Sequence, residues 1–269
     1  MGHDAAENTK QYGQVDKLQA RARLHQLYSR QETPWFPFVF SQGGVNAGDS
    51  VLDIGCGPGW FWAASNDSAP DGLSVTLCDL SEGMEREATE RVEGLARDWR
   101  VAASVADVTA LPFQDESFDA IFCLHMLYHV TDQTRAVDEL HRVLRPGGRL
   151  VVTTNGREDM LALYGLAGRA FDIDPTNPAA ALFGFEDAER LLKDRFGNVA
   201  RHDHQSGLSI TDKSHVFDAL TSYPPGDTAP PEQLEALRTA ISEAFAAGGG
   251  RLEADNQRAA FVSVKKRPD

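Results

Sequence analysis

Four polar deliveries to one sheet edge carry the chemistry of this chain: the turn Gly55-Cys56-Gly57-Pro58-Gly59, then Asp79, Asp107 and His125. The turn follows the apolar run Val51-Leu52-Asp53-Ile54, which reads as a short buried strand. Its glycines open backbone angles closed to other residues, so the main chain can lie against a ligand. A dinucleotide fingerprint needs a glycine where Trp60 stands, which argues against NAD or FAD and for a nucleoside without a diphosphate. Asp79 falls near the roughly 20-residue offset at which an acid reaches ribose hydroxyls, and a carboxylate accepts two hydrogen bonds from a vicinal diol. An acid ahead of Ser81 and Glu82 also suits a helix start, but the ribose reading is favoured. Asp107 is either a turn aspartate or a reader of the adenine edge beside a backbone N–H. Together these groups describe a site for an adenosine lacking phosphate.

His125 and His129 have the spacing of a metal pair. Met126 stands where a zinc-protease motif requires glutamate, and no third ligand follows, so no metal is expected. Cys56, Cys78 and Cys123 are few and odd in number, and sit in strand or turn contexts. They read as reduced core thiols.

The elements that must position these residues alternate strand and helix from Val51 onward, the pattern of a parallel sheet covered on both faces. Strands are expected at Leu73–Cys78, Val101–Val105, Phe118–Cys123, Arg149–Thr154, Val199–Ile210 and Ala259–Val264. Ser81 caps a helix running to about Asp98. Thr131–Leu144 forms another, stopped by Arg145-Pro-Gly-Gly148. After Gly156 the rhythm changes: helix and loop over 157–184, an amphipathic helix Phe185–Arg195, and helical patterns at Ser214–Tyr223 and Pro231–Ala247. Residues 1–13 are polar and read as mobile. A helix with Leu18, Ala22, His25 and Tyr28 on one face then leads to Trp35-Phe-Pro-Phe-Val-Phe40, either a packing pad or a lid over an organic substrate.

At 269 residues the chain can bury a full core. A net charge of −14 and a pI near 5.0 oppose a broad nucleic-acid surface. No apolar stretch reaches the ~18 residues that span a bilayer, and no signal-peptide core is seen, so the expected location is cytoplasmic, without membrane or nucleic-acid partners. A homodimer stays open.

In order and spacing, these residues resemble the class I S-adenosylmethionine-dependent methyltransferases. The resemblance rests on Val51–Gly59, Asp79-Leu80-Ser81, Asp107-Val108 with Leu111-Pro112-Phe113, Phe118–Cys123, Leu124-His-Met-Leu-Tyr-His129 and Leu144–Leu150. It covers about residues 45–156. More loosely, the leading helix with Trp35-Phe36-Pro37 is similar to a bacterial subgroup that modifies small metabolites. The resemblance implies an α/β, Rossmann-like, seven-stranded, mostly parallel sheet with an antiparallel last strand and helical caps. Residues 1–44 would form an N-terminal lid and 45–269 the cofactor-binding domain, with insertions at about 157–197 and 213–247. Substrate specificity is expected in residues 12–40 and 157–225.

For S-adenosyl-L-methionine, with S-adenosyl-L-homocysteine as product, the resemblance implies that Gly55, Cys56, Gly57 and Gly59 line the methionine part. Asp53 would order the turn, Asp79 hold the ribose and Leu80 flank the adenine. Asp107 and Val108 would read the adenine edge, and Leu124 would offer its carbonyl near the amino group. A helix start after Gly59 would favour the cofactor's carboxylate. The loop after the fourth strand borders the transferred methyl in this family, so His125 and His129 are the candidate bases and Tyr128 an orienting hydroxyl. The expected activity is methyl transfer to a small organic metabolite, with O-methylation ahead of N- or C-methylation. The alternatives are transfer to RNA or protein, or cofactor binding without transfer.

Overall fold

Runs of β-branched and aliphatic residues become the central strands because both of their faces are covered. Val51, Leu52 and Ile54 are buried, as are Val75, Leu77, Cys78, Ile121, Phe122, Cys123, Val151 and Val152. The computed structural model describes residues 15–267 apart from residue 96. The polar N-terminal residues 1–13 and the side chain of Leu18 therefore lie outside the described residues.

The strands are β1 (Ser29–Arg30), β2 (Ser50–Ile54), β3 (Ser74–Asp79), β4 (Arg100–Val105), β5 (Phe118–Leu124), β6 (Leu144–Asn155), β7 (Ala200–Ile210) and β8 (Leu252–Val264). They form one sheet in the order β1-β7-β8-β6-β5-β2-β3-β4. β4, β3, β2, β5 and β6 run parallel, while β8 lies antiparallel between β6 and β7. The seven expected strands are present. The short β1, pairing Ser29 with Leu208 and Arg30 with Gly207, adds an eighth at the outer edge. The direction of strand succession reverses between β2 and β5, which places the ligand crevice at the carboxyl ends of those strands.

Two cores sandwich the sheet. On one face, helices Gln133–Val143 and Phe185–Phe196 pack against Leu52, Ile121, Cys123, Leu150 and Phe261. On the other, helices Trp35–Gln42, Trp60–Ser65 and Glu82–Glu93 cover Val51, Val75, Leu77, Phe122 and Val151. A third core lies where β7 and β8 run past the other strands. There, Leu24 of helix Val15–Tyr28, helices Leu161–Phe171, Lys213–Leu220 and Pro231–Ala247, and Leu208, Ile210, Leu252 and Ala254 bury one another.

Three elements differ from expectation. The helix after Ser81 ends at Glu93, not near Asp98: past Gly94 the Leu95 N–H donates to the Val92 carbonyl, three residues back, and the α-helical ladder stops. The Trp35–Phe40 cluster is itself helical: Phe40 stacks on Phe122 with ring centroids 5.7 Å apart, while Trp35 and Phe36 face a cavity. β8 begins at Leu252, seven residues before the expected Ala259. Its early half is polar, but alternates buried Ala254, Asn256 and Arg258 with more open residues against β7.

Candidate active site

The glycine turn is shaped by positive φ at three positions, Gly55 (71°), Gly57 (52°) and Gly59 (76°). The N–H groups of Gly55 and Cys56 both donate to the Cys78 carbonyl, at 2.8 and 3.0 Å, so the turn hangs from the end of β3. A Cβ at Gly59 would lie 2.9 Å from the Ala88 Cα, where helix Glu82–Glu93 crosses the turn. A Cβ at Gly57 would meet nothing within 4 Å, so that position faces open space above the strand ends. Arg91 of the same helix donates to the Pro58 carbonyl.

Asp79 closes the turn from the neighbouring strand. Its Oδ2 accepts from Gly57 N–H at 3.0 Å and its Oδ1 from Ser81 N–H at 2.9 Å. Burial raises its pKa, opposed by these backbone hydrogen bonds. Leu80, next along, is 51% exposed, a large apolar side chain left bare beside the cleft. Asp53 is 1% exposed, and its Oδ2 accepts from Trp62 Nε1 at 2.9 Å. Burial lifts its pKa to about 7. The buried thiols are pushed up as well, Cys78 to about 12, with Cys56 and Cys123 higher still. Such thiols stay protonated and weakly nucleophilic.

The loop after β4 is tied down elsewhere. Asp107 Oδ1 accepts from both the N–H and the hydroxyl of Thr109, at 2.8 Å each, the local turn that its sequence allowed. Val108 and Leu111 are buried beneath it. Buried Glu139 accepts from Leu111 N–H at 2.9 Å and from Arg142 Nη2 at 2.8 Å, and Arg142 also donates to the Leu111 and Phe113 carbonyls. This cluster locks Leu111-Pro112-Phe113 against helix Gln133–Val143.

Leu124 ends β5 and His125 follows at φ 51°, a left-handed conformation uncommon for a residue with a Cβ. Its N–H is held by Thr153, at 3.2 Å to the carbonyl and 3.0 Å to the hydroxyl. The ring lies 5.6 Å from that of Trp35. Burial and the nearby Arg258 charge pull its pKa down to about 3. Tyr128 and His129 lie beyond a short turn, ring against ring at 4.5 Å.

A cavity of about 860 Å³ connects these groups to the N-terminal and cap helices. It is lined by Trp60, His125, Tyr128 and His129, by Trp35, Phe36 and Pro37, and by Met160, Leu163 and Tyr223. The structure thus gathers the glycine turn and Asp79 at the cleft, and the three candidate reaction residues at the cavity. Asp107 is exposed in the loop after β4 and does not line that cavity. Arg258 and Asp159, which also line the cavity, have no role in the sequence pattern, and His25 figures there only on the face of the N-terminal helix. The one available signal was the period-two alternation that sets Asn256 and Arg258 on an inward face.

Residues 52–152 match the family model for a methyltransferase domain. Over those residues, which hold the glycine turn, Asp79 and the loop after β5, the chain is similar to methyltransferase domains. Within curated proteins, the chain is 39% identical over 111 residues to 27-O-demethylrifamycin SV methyltransferase of Amycolatopsis mediterranei, covering 40% of this chain and 39% of that protein. It is 37% identical over 142 residues to demethylmenaquinone methyltransferase of Beutenbergia cavernae, covering 53% and 49%. The match therefore spans less than half the length of either relative. In structure it resembles Haemonchus contortus phosphoethanolamine N-methyltransferase 2, in complex with phosphomonomethylethanolamine and S-adenosylhomocysteine. The TM-score is 0.56 at 19% identity, over 94% of this chain and 58% of that one.

The residues present fit the cofactor. The open face at Gly57, the carboxylate of Asp79 and the bare Leu80 form a polar and apolar cradle at the switch point of the sheet. Among the described residues no helix is long and apolar enough to cross a membrane, and no cluster of metal-ligating side chains forms.

Proposed function

We propose that this methyltransferase moves a methyl group to a small organic metabolite, with oxygen as the favoured acceptor atom. The observation that carries the reading is the cavity running from Trp60 and the His125–His129 loop into an apolar wall of Trp35, Phe36 and Leu163. Its volume is that of a pocket for a small ligand, with the apolar wall facing polar groups such as His25, Asn155, Asp159 and Arg258. The bound cofactor supplies an electrophilic methyl group. Gly55, Gly57 and Gly59 shape the cleft, Asp79 holds the ribose, and Leu80 and Val108 flank the adenine with Asp107 at its edge. Asp53 acts through Trp62, as a positioning residue for the turn. His125, Tyr128 and His129 orient the acceptor, the chain's main task being alignment. A hydroxyl acceptor also profits from a neutral imidazole nearby to receive its proton. Residues 21–37 and the helices within 157–225 wall the cavity and select the acceptor.

The test is calorimetry with S-adenosylhomocysteine, followed by labelled methyl transfer from S-adenosylmethionine to metabolite, RNA and protein fractions. Label is expected in base-labile or ether-type small molecules. Label confined to RNA or protein overturns the small-molecule reading, and tight cofactor binding without any transfer overturns the activity.

A further inference from the structure

The acceptor cavity holds its charges in balance and leaves neutral hydrogen-bonding groups unengaged. Arg258, 8% exposed, faces Asp159 electrostatically. Its guanidinium carbon stands 4.7 Å from the Trp35 ring centre, and Nη2 donates to Ser206 Oγ at 3.1 Å. Asp159 accepts from Gln257 N–H and Asn177 Nδ2, each at 2.8 Å. Arg21 lies over the Tyr223 ring at 5.9 Å. A charge carried in by a ligand would break one of these arrangements or stay unpaired, and a lone buried charge is strongly disfavoured.

Two sets of neutral side chains line the same cavity. His25, on helix Val15–Tyr28, and His125, after β5, form one set, and they interact electrostatically. Burial and Arg258 pull both pKa values down to about 3, so both imidazoles are neutral near pH 7. Tyr164, on helix Leu161–Phe171, forms the other set with Tyr128 and Tyr223, and burial raises its pKa, so its hydroxyl keeps its proton. The His125 ring and the Tyr164 hydroxyl hydrogen-bond to no described residue, and His25 Nδ1 and Tyr223 Oη have no partner either. A neutral imidazole and a phenol each donate one hydrogen bond and accept another. Hydroxyl and carbonyl oxygens complete such groups, and leaving them unmet when buried is costly. The histidines are set beside Arg258, whereas Tyr164 is set beside Tyr223, Asp159 and Tyr128, so a ligand meets the two sets at separate points.

We infer that the methyl acceptor is an uncharged compound with two separated oxygen functions on an apolar body, one met by His25 and His125 and the other by Tyr164. Tyr164 is then a specificity-determining residue. This rests on the small-molecule reading above and narrows the substrate class of that same cavity.

The test titrates the full chain, saturated with S-adenosylhomocysteine, with naphthalene-2,6-diol, with 2-naphthol and with 6-hydroxy-2-naphthoate. The diol is expected to bind about three- to tenfold tighter than 2-naphthol, the worth of one hydrogen bond. It is expected to bind at least about tenfold tighter than the anion, whose charge finds no partner. In Tyr164→Phe the diol falls to the affinity of 2-naphthol, while 2-naphthol and S-adenosylhomocysteine bind as they do to the wild type. The inference is overturned by a wild type that binds the anion, or 2-naphthol, as tightly as the diol. A folded Tyr164→Phe protein that still prefers the diol overturns it too, as does failure of all three compounds to bind at roughly millimolar levels. The wild-type order needs no variant, so it decides the matter even where Tyr164→Phe does not fold. If S-adenosylhomocysteine fails to bind the wild type, the cofactor reading itself falls, and label found only in RNA or protein removes the small-molecule reading. Both results are distinct from a wrong order of the three compounds on a chain that binds the cofactor product.

Discussion

Asp79 Oδ2 accepts the Gly57 N–H at 3.0 Å, a side-chain tie between the end of β3 and the glycine turn after β2 that adds to the two backbone bonds on the Cys78 carbonyl. Its other oxygen fixes Ser81, the cap of helix Glu82–Glu93. One side chain thus sets the turn, starts the helix that buttresses the turn, and keeps lone pairs for a diol. Asp79→Ala is expected to weaken S-adenosylhomocysteine binding by about 10- to 100-fold, the worth of hydrogen bonds to a charged group, about 1.5–3 kcal/mol. Asp107→Ala, on a side chain already satisfied by Thr109, is expected to lose less. Calorimetry on the two variants gives the order, and the reverse order would place the ribose elsewhere.

Gly57 and Gly59 separate binding from folding. Both need left-handed backbone, but only at Gly59 would a methyl group strike the backbone at Ala88. Gly59→Ala is expected to cost about 3 kcal/mol or more, since helix Glu82–Glu93 must move and the residue is strained. Gly57→Ala carries only the conformational strain, about 1–2 kcal/mol, yet puts a methyl group into the cleft. Denaturant unfolding should thus find Gly57→Ala the more stable of the two, with cofactor affinity lost while the fold is intact.

Trp62 is fully buried, and its indole N–H is the donor that accompanies the buried Asp53 carboxyl. Trp62→Phe keeps most of the packing but strands that acid and leaves a small void. The expected loss is about 2 kcal/mol, and roughly 4–8 °C in Tm for a domain of this size. Replacing both partners, as in Asp53→Leu with Trp62→Phe, should recover part of the loss, because no unpaired polar group remains. A double variant no more stable than Trp62→Phe would show that the hydrogen bond is not what matters there.

The crevice was legible in the sequence because its information is local. Val51 to Gly59 states a buried strand and its turn within one short run, and Asp79 follows at the end of the next strand. The cavity was not legible, because Arg258, His25 and His125 meet only through packing of three distant segments, and no spacing encodes that. β8 hid its first half for a related reason. Glu253, Asp255 and Gln257 face outward and make the run look like a loop, while pairing with β7 supplies what propensity does not. The early end of helix Glu82–Glu93 at Gly94 shows the weakness of boundaries read from apolar spacing alone.

His125 gives a pH-dependent prediction whose sign can be fixed. Its folded pKa, about 3, lies below the ordinary value of 6.5 because burial and Arg258 disfavour the imidazolium. Between those values the unfolded chain binds the extra proton, so the neutral side chain's stabilising contribution is complete above pH 6.5 and shrinks as pH falls toward 3. Wild-type stability alone is a poor readout, since Asp53 and Asp159, raised to about 7 and about 6, act in the opposite direction over much of the same window. The difference between wild type and His125→Asn isolates the histidine, and asparagine tolerates the left-handed backbone there. That difference is expected to move against the wild type by roughly 1.4 kcal/mol per pH unit below the unfolded pKa. The same neutral ring sets the activity profile: turnover should show no loss near pH 6.5 attributable to His125, and His125→Asn should lower kcat with little change in S-adenosylhomocysteine affinity. Unchanged turnover in the variant would remove His125 from the reaction and leave it a structural element of the loop after β5.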